Sequence, residues 1–146
     1  PTRAEDPYSL TKWLGEQTAD AFARRRKVQI ASFRFHGLMD DDYLRYLRQN
    51  LVSDPIPAVK DFWGYLHFKD CARACRMALE ATWEGHQVFF LNAADTILSI
   101  PTVEALDKCY PGVPLKKELP SFTSPIDIFQ AKRVFNWEPE VSWRVE

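Results

Sequence analysis

The chain has 146 residues, of which 46% are hydrophobic and 27% are charged, and its formal net charge is −1 at pH 7. This composition predicts a globular chain and excludes a disordered one. The balanced charge argues against a nucleic-acid partner, because neutralising phosphates requires a basic surplus. No segment offers the roughly 20 apolar residues of a membrane span. Three cysteines without zinc-ligand spacing predict no metal site and a reduced, cytoplasmic compartment.

A helix is predicted near the start of the chain. Asp6 is a plausible N-cap, Pro7 suits the first helical position, and the helix should run to about Arg26. Within it, Tyr8 and Lys12 are four residues apart, so their side chains share one face of the helix. A nearby ammonium favours the phenolate form of a tyrosine. The pair therefore predicts an acid–base group that works near neutral pH.

The tyrosine–lysine spacing occurs a second time, at Tyr65 and Lys69. That copy spans a predicted strand-to-helix junction, so its two side chains need not share a face. The first copy lies wholly within one predicted helix and is the better candidate.

The remaining elements predict an α/β fold, because a strand over residues 28–35 closely follows the first helix. The run of three acidic residues that begins at Asp40 is expected to cap one helix, Asp70 is expected to cap another, and Asn136 is expected to end the last one. The prolines that bunch between residues 111 and 125 suggest a small, loop-rich lobe. Further helices are predicted over residues 40–50, 68–81, 101–110 and 126–135, and further strands over residues 62–67, 87–92 and 113–116.

Five stretches in order resemble the extended short-chain dehydrogenase/reductases, the NAD-dependent sugar epimerase/dehydratase family. The first contains the tyrosine, the lysine and a following Gly15-Glu16 pair, as in the family's catalytic helix. Together the stretches cover nearly the whole chain. They are residues 7–16, 33–35, 64–74, 88–94 and 127–139.

The resemblance implies the C-terminal part of a Rossmann-like, doubly wound parallel sheet together with a small α+β substrate lobe. Residues 1–36 would supply the catalytic helix and the strand after it. Residues 37–146 would be mainly the substrate-binding lobe, with returning Rossmann elements at about 62–92.

The resemblance also implies roles for individual residues. Tyr8 would exchange a proton with a sugar hydroxyl, while Lys12 would bind the nicotinamide ribose and lower the pKa of the tyrosine. Tyr8, Lys12 and Phe35 would contact NAD or NADP, and His36 and Gly37 would contact the substrate. The expected partners are a small sugar or nucleotide sugar and, as in many members of the family, a second copy of the chain.

Two features depart from the family. The five glycines include no Gly-x-x-Gly-x-x-Gly array, the turn that gives a dinucleotide its pyrophosphate contacts. The family's catalytic serine or threonine is expected upstream of the tyrosine, and Thr2 lies too close to Tyr8 to be that residue. We therefore expect a C-terminal fragment of a larger enzyme that is itself inactive and binds NAD poorly or not at all.

Two alternatives stay open. Many nucleotide-sugar members have an asparagine where this chain has Gly37, so a uronate-type dehydrogenase acting on a sugar acid competes with a nucleotide-sugar enzyme. The second alternative is a non-catalytic function, as a dimerisation or binding module, which the broad apolar face of the first predicted helix favours.

Overall fold

Residues 4–145, the part of the chain that the computed structural model describes, form five α-helices and four strands. Thr2 lies outside this part. The helices are α1 (Pro7–Arg26), α2 (Asp41–Gln49), α3 (Phe68–Glu80), α4 (Thr102–Cys109) and α5 (Phe129–Phe135). The strands are β1 (Ile30–Phe35), β2 (Gly37–Met39), β3 (Tyr65–His67) and β4 (His86–Leu91), and a 3-10 helix covers Ile56–Asp61. No helix in residues 4–145 is long and apolar enough to cross a membrane.

Local capping rules set several helix ends where the sequence predicts them. The Asp6 carboxylate accepts a hydrogen bond from the Ser9 amide at 3.0 Å and starts α1. Asp40 does the same for α2 through the Tyr43 amide at 2.9 Å. Asn136 ends α5 in the left-handed conformation, with φ of 54°. These predictions are confirmed.

The strands form two small parallel sheets. β1 pairs with β4, in a register that runs from Ile30 opposite His86 to Phe35 opposite Leu91. β2 pairs with β3, with Gly37 opposite Tyr65. Parallel strands need crossover connections. α2 lies in the connection from β2 to β3, and α3 lies in the longer connection from β1 to β4. The predicted α/β class is confirmed.

The β1–β4 sheet lies between two helical layers. Side chains alternate along a strand, so Phe33 and Phe89 point to one face, where they join a core with Phe135 and Trp137 of the α5 end. The Phe89 and Phe135 rings meet edge to face at 5.0 Å between centroids. Ser32 and Arg34 point to the opposite face, against which α1 packs. The sheet thus presents an apolar face to α3 and α5 and a more polar face to α1.

In the second tyrosine–lysine copy, the fold places the two side chains in different surroundings. Tyr65 is fully buried, and its hydroxyl donates to the Asp95 carboxylate at 2.7 Å and accepts from the Trp143 amide at 3.1 Å. Burial raises the pKa of Tyr65 well above its ordinary value. Lys69 is exposed and pairs with Asp41. Tyr65 therefore anchors the C-terminal segment and is not available for acid–base work.

Asp70 does not cap α3, so that prediction is wrong. The cap is His67, whose side chain accepts a hydrogen bond from the Lys69 amide at 3.3 Å. Asp70 is 1% exposed and accepts hydrogen bonds from the Glu140 and Val141 amides at 3.0 and 2.9 Å. The carboxylate holds a segment 70 residues along the chain, a contact that no local rule foresees.

The short strand predicted over residues 113–116 is also absent. Residues 113–116 are exposed and irregular, between a turn at residues 111–112 and a bend that begins at Lys116. Pro111 and Pro114 lack an amide donor, so this stretch is a poor partner for a sheet.

Replacing Asp70 by alanine should lower the free energy of unfolding by about 3 kcal/mol. The change leaves the Glu140 and Val141 amides without their acceptor and removes the 2.9 Å ion pair between the carboxylate and Arg73. Urea unfolding measures the loss. Asp107→Ala, at an exposed position of α4, is the control and should change stability by less than about 0.5 kcal/mol. Equal effects of the two substitutions would contradict the structural role of Asp70.

Candidate active site

An ion pair sets how α1 sits on the sheet. Tyr8, Lys12 and Glu16 recur at four-residue spacing and lie on one side of α1. The Glu16 carboxylate accepts two hydrogen bonds from the Arg34 guanidinium of β1, at 2.7 and 2.6 Å. The Arg34 hydrogen bond holds the pKa of Glu16 below its usual value. This bidentate contact turns the Tyr8 side of α1 toward the carboxyl end of β1.

A cavity of about 590 Å³ opens at that end. Ligands of open parallel α/β sheets bind outside the carboxyl ends of the strands, so this is the best candidate site. Four of the predicted site residues line it, and the fifth, Gly37, begins β2 outside the lining. The lining residues are Tyr8, Thr11, Lys12, Gly15, Glu16, Ser32, Phe33, Arg34, Phe35, His36 and Phe90.

Tyr8 and Lys12 share a face, as their spacing predicts. The Lys12 ammonium lies 5.1 Å from the centroid of the Tyr8 ring, a cation–π contact. Tyr8 is 71% exposed, and within residues 4–145 the Lys12 ammonium forms no ion pair. The phenol hydroxyl and the ammonium are therefore both accessible to a ligand in the cavity.

His36 follows β1 and is half-buried at the edge of the cavity. Its Nδ1 atom is buried. Burial lowers the pKa of His36, while the Asp61 charge and the Asn92 amide partly oppose the shift. The imidazole is therefore mainly neutral at pH 7.

The sequence does not predict two contacts on the face of the β1–β4 sheet that packs against α1. The Ser32 side-chain oxygen lies 2.8 Å from His86 Nε2. The Arg34 guanidinium lies 5.4 Å from the Phe90 ring centroid. Alternation along two paired strands puts all four side chains on one face, but that signal needs the β1–β4 register, which only the fold supplies.

The cavity offers both hydrogen-bond donors and an apolar surface. The Lys12 ammonium and the Tyr8 hydroxyl can donate hydrogen bonds to ligand oxygens, and Phe35 can pack against an apolar ring. In the described part of the chain no glycine-rich turn precedes a helix, so these residues provide no pyrophosphate cradle. No group of three or more histidine, cysteine or acidic side chains that could hold a metal ion is found within residues 4–145.

No protein-family model and no curated protein sequence matches this chain. Solved structures are similar at low identity. One is MoeE5 in complex with UDP-glucuronic acid and NAD, with 18% identity, a TM-score of 0.57 and coverage of 97% of this chain and 53% of that chain. Another is UDP-glucose 4-epimerase from the hyperthermophile Thermotoga maritima with UDP-glucose, with 20% identity, a TM-score of 0.53 and coverage of 96% and 50%. The likeness confirms the Rossmann-like α/β fold class, and the chain spans about half the length of these proteins.

The burial of His36 should make stability fall at acidic pH. The pKa of folded His36 lies below its usual value of 6.5, so below that pH the unfolded chain binds a proton that the folded chain binds less well. The stabilising contribution is therefore present above pH 6.5 and lost as the pH falls through the folded pKa. Urea unfolding across this range measures it. His36→Gln should remove this part of the pH dependence, and unchanged curves in the variant would contradict the assignment.

Proposed function

We propose that the chain carries the tyrosine–lysine and substrate-side half of an NAD(P)-dependent enzyme that acts on a sugar or nucleotide sugar. The reaction class is an epimerisation, dehydration or dehydrogenation. One observation carries the proposal: Tyr8 and Lys12 share a face and line one cavity with Phe35 and His36 at the carboxyl end of β1.

In this proposal the Tyr8 hydroxyl exchanges a proton with a sugar hydroxyl. The Lys12 ammonium carries three donors on a flexible stem and binds the hydroxyls of the nicotinamide ribose. When bound, NAD or NADP supplies the hydride acceptor and donor, which no side chain provides. The protein contributes orientation and the proton.

The proposal assigns the rest of the enzyme to further strands beside β1. Within residues 4–145, β1 pairs only with β4, and two strands make a small sheet for a Rossmann-like fold. An apolar groove of about 300 Å³ lies beside β1 and α3, lined in part by Ala31, Phe33 and Leu79. Residues 1–36 would then complete the cofactor-binding domain, and residues 37–146 would form mainly the substrate lobe.

Two substrate classes stay in competition. MoeE5 and the Thermotoga epimerase were solved with UDP-glucuronic acid and UDP-glucose, which supports a nucleotide sugar. Gly37 offers no side-chain amide to a diphosphate, which supports a free sugar acid. Calorimetric titration with UDP-glucuronic acid and with glucuronic acid separates the classes, because only the first should bind if the nucleotide is recognised.

Tyr8→Phe should lower kcat in the complete enzyme on the order of 10²- to 10⁴-fold, the usual contribution of a positioned acid or base. The substitution keeps the ring and its contact with Lys12. Tyr43→Phe, on the exposed side of α2, is the matched control and should leave turnover unchanged. Turnover is followed through NAD(P)H absorbance or the sugar product. An unaltered kcat in the Tyr8 variant would refute the catalytic assignment.

Calorimetry with NAD provides a readout that needs no turnover. The present chain should bind NAD weakly or not at all, and a chain extended upstream by a glycine-rich strand–helix unit should bind it. Full binding by the present chain would contradict the proposed location of the cofactor site, and the role of Tyr8 would have to be reassigned.

A second candidate function is assembly of a homodimer through α1. Ala23 is the one buried residue that α1 contributes, although the helix has 20 residues. Leu10, Trp13 and Phe22 are 42%, 38% and 52% exposed. Apolar surface of this extent on one helix is typical of an interaction site.

Phe22→Glu should shift the chain toward monomer in sedimentation equilibrium if α1 forms the dimer, because the interface would then bury a charge. Val113→Glu is the control, since Val113 is 63% exposed in a loop far along the chain. Equal association in both variants, or a monomeric parent, would exclude α1 as the interface.

A further inference from the structure

His36 separates two adjoining cavities. The first is the candidate site with Tyr8 and Lys12. The second has a volume of about 320 Å³ and shares His36 and Phe90 with the first. A ligand that spans both must pass the imidazole. The residues of the second cavity are His36, Lys60, Phe62, Phe90, Pro125 and Ile126.

Asn92 lies behind the imidazole and its orientation is determined. It directly follows β4 and is 0% exposed. Its side-chain nitrogen donates to the Ala93 carbonyl at 2.8 Å and to the Ser124 hydroxyl at 3.0 Å. A carbonyl only accepts, so the nitrogen must be on that side and the oxygen Oδ1 on the other.

Asn92 Oδ1 and His36 Nδ1 are both buried, and neither has a hydrogen-bond partner within residues 4–145. Both lie against Gly64. A Cβ at that glycine would stand 2.5 Å from Oδ1 and 3.0 Å from Nδ1. Both atoms thus border the space that a Gly64 side chain would fill, and the absence of that side chain leaves room for them to pair. Buried polar atoms left without a partner are costly, and here each is the other's natural partner.

We propose that Asn92 is a positioning residue that accepts a hydrogen bond from His36 Nδ1–H and so makes Nε2 an acceptor for a donor group of the ligand. Oδ1 has no proton to give, so the pair forms only when Nδ1 carries one. The neutral ring then has an unprotonated Nε2. Nδ1 is the buried ring nitrogen, which leaves Nε2 to face the cavities.

The tautomer constrains what binds at this point. An unprotonated Nε2 attracts a hydroxyl or N–H donor and repels a phosphate or carboxylate oxygen. The depressed pKa of His36 keeps this form populated at neutral pH. If the proposed function holds, the group that meets His36 is therefore a sugar or ribose hydroxyl, and the anionic part of the ligand lies away from it.

Nitrogen-15 NMR of the imidazoles in the full chain at pH 7.5 tests the tautomer without any ligand, with His36→Gln used to assign the signals. The expected result is a protonated-type shift for Nδ1 and an unprotonated-type shift for Nε2. Asn92→Ala should abolish that preference. Ser124→Ala is the matched control, because it removes one acceptor of Asn92 and leaves Oδ1 in place, and it should preserve the preference. A protonated Nε2 in the parent chain would overturn the proposal even if Asn92→Ala does not fold.

Titration with UDP-glucose is the ligand arm of the same experiment. Binding should shift the Nε2 resonance without raising the pKa of His36. A rise of about one unit or more would show that an anionic oxygen occupies the position and would overturn the acceptor role. No response at all would count against the proposed function, while the tautomer would still be decided by the ligand-free spectrum.

Discussion

The candidate site depends on the contact between Glu16 and Arg34. α1 buries little of its own surface, so packing alone defines its rotation on the sheet poorly. A bidentate pair between planar groups has strict geometry, and the Glu16 side chain is only 16% exposed. The pair therefore specifies orientation more than it adds stability. Glu16 lies two turns after Tyr8 on the same side of α1. The contact that fixes Glu16 therefore also places the Tyr8 side chain over the carboxyl end of β1.

The structure divides the two sides of the cavity between different parts of the fold. Tyr8 and Lys12 come from a helix that lies on the sheet surface. His36 comes from the junction of β1 and β2 and lies against Gly64, which Asn92 also borders. In the proposed site, one side offers a proton donor and a cation, and the other offers the neutral acceptor of the proposed His36 tautomer. This combination is the basis for proposing a polyhydroxylated ligand, which needs hydrogen bonds of both kinds.

The parts that sequence predicts are those that neighbouring residues decide. Asp6, Asp40 and Asn136 set helix ends within one turn of themselves, and the spacing of Tyr8 and Lys12 places them on one face whatever surrounds the helix. The parts that it misses depend on distant partners. The sequence predicts Asp70 as a helix cap, whereas in the fold its carboxylate accepts hydrogen bonds from the distant amides of Glu140 and Val141. Asn92 and Gly64 carry no local signal, because their meeting requires β3, β4 and the loop before α5 to converge. The pairing of β2 with β3 apart from the β1–β4 sheet is likewise a property of the whole chain.

The shallow burial of α1 has a consequence for local stability. Proteins open in cooperative units, and a unit that buries few side chains opens at a lower free energy than the core. With Ala23 as its one buried residue, α1 can detach from the sheet while the aromatic core between the sheet, α3 and α5 stays closed. We therefore expect the tyrosine–lysine pair to belong to a unit that opens separately, which would give the assembled site a shorter lifetime than the fold.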